Sequence, residues 1–183
     1  MTELAVVALL ATLLAASGGQ PPSIGIPNGT VPPAITLVGT TGGVPATSVG
    51  SFVVNVHDLA GNPLSGAQVV VDLSACIDIQ ICADQHDPDA LVNCQAKTVR
   101  KFSNALGNAT FTILGSSVGG PATTGFHGGH VYANGALIGS PTVATPDLDG
   151  YGGVGIDDLS LWLDDFGSHQ FWGRSDFDHS GAL

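Results

Sequence analysis

Period-two alternation of apolar residues, cut every few positions by Gly, Asn and Pro, is the pattern that most restricts this chain. Phe52, Val54 and Val56 alternate with Val53, Asn55 and His57. Ala67, Val69, Val71 and Leu73 share one parity against Gln68, Val70 and Asp72, and Ala109, Phe111 and Ile113 alternate with Thr110 and Thr112. Successive side chains of a strand point to opposite faces, so each run reads as a half-buried strand. Turn chemistry separates the runs: Asp58, Gly61, Asn62, Pro63 and Gly66 after the first, and Asn104, Gly107 and Asn108 before the last. Ile35 to Val38 adds a strand signal, and Asn134-Gly135 between two apolar triplets is a two-residue hairpin signal. Roughly seven short strands at this spacing predict an all-β sandwich. With 10% charged residues, 26 Gly and 11 Pro, the chain has little material for long exposed helices.

Residues 4–16 form an uncharged apolar run of 13, too short to span a bilayer comfortably and followed by small residues and Pro21-Pro22. The run resembles a signal-peptide core, giving residues 1–19 as a signal peptide and 20–33 as a Pro/Gly/Asn-rich linker or N-terminal arm. Glu3 and the lack of Lys or Arg before the run depart from that pattern. Either the true start lies upstream or the run stays as an apolar strand. No other segment is long and apolar enough for a membrane span in the mature chain. In an exported chain Cys76, Cys82 and Cys94 allow one disulfide. If residues 68–74 pair antiparallel with 97–103, Cys76 and Cys94 flank the mouth of the intervening loop and form the preferred pair, with Cys82 left over. The net charge of −11 comes almost wholly from Asp and repels polyanions, so nucleic acid is excluded as an expected partner.

A strand, the D-x-x-G-N-P-x-x-G-A turn of residues 58–67, a second strand, and the N-A-x-G-x-A-T-F run of 104–111 together resemble bacterial immunoglobulin-like domains of the invasin and intimin type. The resemblance implies an immunoglobulin-like β-sandwich over residues 34–144, with Gly and Asn making the tight turns and Ala109 and Phe111 entering the core. The Cys-containing connection of residues 75–96 departs from the pattern.

Composition changes at about Thr145: eight of the 14 Asp residues fall between positions 147 and 178. Residues 147–158 place Asp147, Asp149 and Asp158 at positions 1, 3 and 12 of a calcium-type loop, with Tyr151 at position 5, Gly152 at 6 and Gly153 at 7. Calcium takes six to eight oxygens, so a short loop must turn sharply at Gly, lend a carbonyl at position 7 and close with a last carboxylate. Tyr151 offers no carboxylate or amide oxygen, so position 5 must use main chain or water. Leu159, Trp162, Leu163 and Phe166 follow at helical spacing. A loop running directly into a helix, with none before it, resembles the F-hand half of a dockerin. Asp176, Asp178 and Ser180 begin a second loop at positions 1, 3 and 5, with Gly181 at 6. Residues 145–183 are therefore read as a dockerin-like Ca2+-binding segment whose second repeat is cut short, by a truncated frame or a fragment. The competing reading is an acidic, Gly-rich tail with no ion.

Other matches carry less. Residues 115–119 fit G-x-S-x-G, yet Gly120-Pro121 follows where a nucleophile elbow needs a helix. His127 and His130, and the acidic stretch Asp84, Asp87 and Asp89, read as ordinary turns before cation sites. No carboxylate pair suits general acid–base work. Asn28 and Asn108 head glycosylation sequons.

The expected function is a secreted, non-enzymatic cell-surface module, calcium-stabilised, that binds other extracellular or cell-surface proteins. The dockerin resemblance implies a cohesin-like partner approached through the helix, where Ile156 and Asp157 occupy the partner-contacting positions. Two other readings stand beside it. One is a fibre subunit that binds copies of itself by strand addition from residues 4–16 or 30–40. The other is the anchoring part of a larger secreted enzyme.

Overall fold

A computed structural model of the chain describes residues 27–39, 44–81, 84–118, 128–168, 170 and 172–183. The expected signal peptide, residues 20–26 of the linker, Cys82 and His127 lie outside the described residues. Twelve strands are described: β1 (Asn28–Thr30), β2 (Ala34–Thr36), β3 (Ser51–His57), β4 (Gln68–Asp72), β5 (Ile79–Ile81), β6 (Leu91–Asn93), β7 (Thr98–Phe102), β8 (Asn108–Thr112), β9 (Gly115–Ser117), β10 (His130–Ala133), β11 (Ala136–Gly139) and β12 (Thr142–Ala144). A single helical turn, α1 (Thr47–Gly50), precedes β3, and α2 (Ile156–Gly167) and a 3-10 turn (Gly173–Ser175) belong to the C-terminal segment.

The strands form a three-stranded sheet in the order β1-β3-β8 and a five-stranded sheet in the order β11-β10-β4-β7-β6. The inward residues of both meet in one apolar core. Val54, Val56 and Phe111 from the smaller sheet join Val69, Val71, Val99, Val131 and Ala133 from the larger. The alternation read from the sequence sets these faces, because β3 and β4 bury every second residue. Phe52 and Phe111 face each other across the β3–β8 ladder with ring centroids 5.5 Å apart. Each such side chain contributes about 1.5–3 kcal/mol by leaving water.

The turns form as their residues dictate. Asp58 Oδ1 accepts the Ala60 and Asn62 N–H groups, both at 2.9 Å. Asn104 Oδ1 does the same for Leu106 and Asn108. Asn134 and Gly135 both take positive φ, 46° and 84°, as a two-residue hairpin turn between β10 and β11 requires.

Three expectations change. The end of the segment read as a linker is a strand, β1, paired antiparallel with β3. It has no alternating apolar signal because it pairs by backbone at the sheet edge. Residues 34–36 pair in parallel with β12, so this part of the proposed arm is engaged within its own chain. The long Cys-containing connection holds two short strands, with β5 pairing β9 and β6 extending the large sheet beside β7.

The Cys76–Cys94 disulfide is not formed, although β4 and β7 pair in the register assumed for it, Gln68 opposite Phe102 through Asp72 opposite Thr98. The chain turns at Ser74-Ala75 and carries Cys76 into the core, where it is fully buried and its thiol donates to the Gly128 carbonyl at 3.6 Å. Cys94 stays exposed in the turn after β6. Lys97 crosses this region, its Nζ donating to the Cys76 carbonyl at 2.7 Å.

Residues 115–118 are strand and coil, and the stretch that follows them, where a nucleophile elbow would need its helix, lies outside the described residues. Ser116 and Ser117 are fully buried, and the Ser117 hydroxyl donates to the Asp78 carbonyl at 3.0 Å. The acidic stretch at 84–89 clamps the body: Lys101 Nζ lies 3.2 Å from Asp87 Oδ2 and 2.8 Å from Asp89 Oδ1. Asp87 Oδ2 also accepts the Thr112 N–H at 2.8 Å. Among the described residues no helix is long and apolar enough to cross a membrane.

Candidate metal centre

Residues 145–183 lie against the β body. The Thr145 N–H donates to the Arg174 carbonyl at 3.0 Å, and the Ser117 N–H of β9 donates to the Asp147 carbonyl at 2.7 Å. Leu148 is fully buried between these contacts. Gly150 has φ +75°, and a Cβ there would sit 2.7 Å from the Ser117 carbonyl oxygen, so the close approach of loop to β9 needs glycine.

The loop folds its carboxylates inward. Asp147, Asp149 and Asp158 each offer a ligand atom within 4.8 Å of the others, and Asp147 and Asp158 are buried. Backbone N–H groups fix each group. Asp147 Oδ1 accepts from Gly150 at 2.9 Å and Asp149 Oδ1 from Tyr151 at 2.7 Å. Asp158 Oδ1 accepts from Leu148 and Asp149 at 2.6 and 3.0 Å, and its Oδ2 accepts from Gly155 at 2.6 Å. The last bond is the side-chain half of a capping box, because Gly155 is the N-cap of α2 and Asp158 its third residue. One side chain thus closes the loop and starts the helix.

Three carboxylates this close repel one another, and a hard divalent cation would relieve that repulsion. The donor set fits such an ion: three carboxylates, with further oxygens needed from main chain or water. The Tyr151 side chain points to solvent at 84% exposure, so position 5 supplies only backbone. Gly153 at position 7 is buried with φ +79°.

The second loop repeats the first in its backbone. Positions 4 and 6 are left-handed in both, Gly150 and Gly152 at φ 75° and 74°, His179 and Gly181 at 55° and 85°. The third-position carboxylate accepts the fifth-position N–H in both, Asp149 from Tyr151 and Asp178 from Ser180, the latter at 3.0 Å. Asp176 is buried and accepts the N–H groups of Ser180 at 3.1 Å and Gly181 at 3.0 Å. Hydrogen bonds from Ser180 hold the Asp178 carboxyl below the usual carboxylate range. His179 lies between two threonines, Nε2 3.3 Å from Thr36 Oγ1 and Nδ1 3.0 Å from Thr142 Oγ1. Burial holds its pKa below the usual imidazole value, against the pull of Asp176 and Asp178.

Sequence reading missed the clamp between the loops. Arg174 is 2% exposed and forms a bidentate pair with Asp165 of α2, Nε to Oδ2 and Nη2 to Oδ1, both at 3.0 Å. Its Nη1 donates to Ser117 Oγ at 3.1 Å, tying helix, second loop and β9 together. Trp162 Nε1 donates to the Ser175 carbonyl at 3.2 Å. The available signal was a lone Arg inside a strongly acidic segment. Because α2 turns Asp158 and Asp165 toward the body, Ile156, Leu159, Leu163 and Phe166 stay at least half exposed or nearly so, at 73, 49, 52 and 50%. Trp162 stacks on Phe166 at 5.4 Å and lines a shallow groove with Pro146, Val154, Leu159 and Phe177.

Compared with protein-family models, with curated proteins and with solved structures, the chain finds no match. The immunoglobulin-like and dockerin-like resemblances therefore rest on the residues themselves.

Proposed function

We propose that this chain is a secreted, non-enzymatic cell-surface module. In this reading an immunoglobulin-like β-sandwich carries a dockerin-like segment that binds Ca2+ and presents a helix to a partner protein. The observation that carries it is the convergence of Asp147, Asp149 and Asp158 within 4.8 Å at the head of α2. Asp147, Asp149 and Asp158 would hold the ion, with carbonyls of Tyr151 and Gly153. The matching backbone of the second loop supports a weaker site at Asp176, Asp178 and Ser180. The ion offsets the carboxylate repulsion and fixes the start of α2, and the exposed stripe of Ile156, Leu159, Leu163 and Phe166 meets the partner.

Calorimetry tests the metal directly. Calcium titrated into the whole chain gives saturable heat with a dissociation constant in the range of about 0.1–1 mM, as for extracellular modules. Asp147→Asn with Asp158→Asn removes the first-loop heat. An absence of heat at millimolar calcium overturns the reading.

A further inference from the structure

Three of the four basic side chains are engaged within the chain. Lys97 holds the Cys76 and Ile77 carbonyls, Lys101 pairs with Asp87 and Asp89, and Arg174 pairs with Asp165. Arg100 differs. It stands on the outer face of β7, opposite Val70 of β4 and Leu91 of β6. Its Nε is shut from solvent and has no hydrogen-bond partner among the described residues. A buried donor without an acceptor is costly, and more so when it is charged. Asp72, an acid on the same face, lies two pairs along the ladder, opposite Thr98, and its Oδ1 accepts the Ser74 N–H at 2.8 Å.

Arg100 lines an open hollow of about 360 Å³ together with Gln68, Val70, Leu91, Val92, Asn93 and Thr98. That volume falls in the size class of small-ligand sites. The lining is of three kinds: one cation, three neutral hydrogen-bonding groups, and a wall of Leu and Val. A guanidinium fork matches a planar oxyanion such as carboxylate. The net charge of −11 opposes a densely charged polyanion, so the fitting ligand carries isolated carboxylates among neutral hydroxyls.

We propose that this hollow binds a carboxylated sugar of the uronic-acid class, with the carboxylate on Arg100, hydroxyls on Gln68, Asn93 and Thr98, and a C–H face against Val70 and Leu91. This gives the binding module of the preceding subsection a ligand class and rests on that reading for its setting only. The site itself does not involve the calcium loops.

The test is a titration of the isotopically labelled whole chain with trigalacturonate, followed by amide NMR in the presence of chelator. Working without calcium separates this proposal from the metal reading and keeps the sugar acid from being sequestered. Saturable shifts at residues 68–70, 91–93 and 98–100 are expected. Arg100→Gln should weaken binding at least about tenfold, as loss of a charge-assisted pair does. The exposed-edge variant Asn93→Ala should weaken it about threefold and serves if Arg100→Gln fails to fold. The neutral galactose trimer should bind at least about tenfold more weakly than trigalacturonate. The proposal is overturned by an absence of saturable shifts, by equal binding of the neutral trimer, or by an Asp/Glu peptide occupying the same residues as tightly. Unchanged binding by a folded Arg100→Gln also overturns it.

Discussion

The β body and the C-terminal segment are built by opposite rules. In residues 34–144 the interior is apolar, with Val54, Val56, Val69, Val71 and Phe111 removed from water. In residues 145–183 the buried groups include Asp147, Asp158, Asp165, Arg174 and Asp176, while Ile156, Leu159, Leu163, Phe166 and Phe177 remain exposed. The body is held by non-directional burial that tolerates small changes of shape. The segment is held by directed bonds among charges, and breaking such a pair leaves a buried charge uncompensated. The body is organised around an apolar core, whereas the segment is held through β9, Arg174 and, in the proposed function, a metal ion.

The sharpest break in that comparison comes from one substitution on each side. Phe111→Ala should cost about 3–5 kcal/mol, the usual range for emptying an aromatic core position. Far-ultraviolet circular dichroism should record it as a lower denaturation midpoint for the strands. Arg174→Ala strands Asp165 in the interior, and breaking a buried pair costs about 3–5 kcal/mol. That effect should be local. Both tryptophans, Trp162 and Trp172, lie in the segment, so their fluorescence should report loosening at denaturant concentrations where the strand signal is still native. A single shared transition in Arg174→Ala would mean that segment and body form one cooperative unit.

Smaller effects sharpen the contrast. Asp158→Asn weakens the closing of the loop and the start of α2 together, with about 1 kcal/mol from the cap, and the loss should be larger in calcium than in chelator. At the thiols, burial and the nearby Asp78 push the Cys76 pKa up to about 12, so it stays protonated and inert near neutrality. Alkylation of the native protein, mapped by mass, should modify Cys94 and spare Cys76; a recovered Cys76–Cys94 disulfide peptide would contradict the structure. The smallest effect is at Asp89, whose carboxyl is held below its usual 3.8, first by its hydrogen bond to Lys101. Its folded pKa is depressed, so its contribution is present above 3.8 and lost as pH falls through the lower folded value. The stability difference between the natural chain and Asp89→Asn should therefore shrink on acidification below that point.

Legibility follows the same division. Strands β3, β4 and β8 were readable because period-two alternation is the direct imprint of a one-sided sheet, and the Asp58, Asn104 and Asn134-Gly135 turns were readable because their residues form the bonds. The edge strand β1, β5 and β6 have three residues each and too little pattern to stand out. The inward turn of Cys76 was invisible because pairing register alone does not report where the chain leaves the ladder. In the segment, the spacing of Asp147, Asp149 and Asp158 made their convergence legible, since a calcium-type loop is a local motif. The Arg174–Asp165–Ser117 clamp ties the neighbouring α2 and 3-10 turn to β9, 57 residues away from Arg174, and no spacing rule points to that long-range contact. The direction of α2 was likewise hidden: helical periodicity gives an apolar stripe but not which face meets the body.

Hydrogen exchange of the whole chain, in calcium and in chelator, distinguishes a loop closed by a metal ion from one closed by hydrogen bonds alone. In calcium, exchange should slow for the amides of Leu148, Asp149, Gly150, Tyr151 and Gly155 and for α2, with the β3–β8 and β4–β7 ladders unchanged. Identical exchange in the two conditions throughout residues 147–167 would contradict it, and would leave the segment as an acidic clasp that needs no ion.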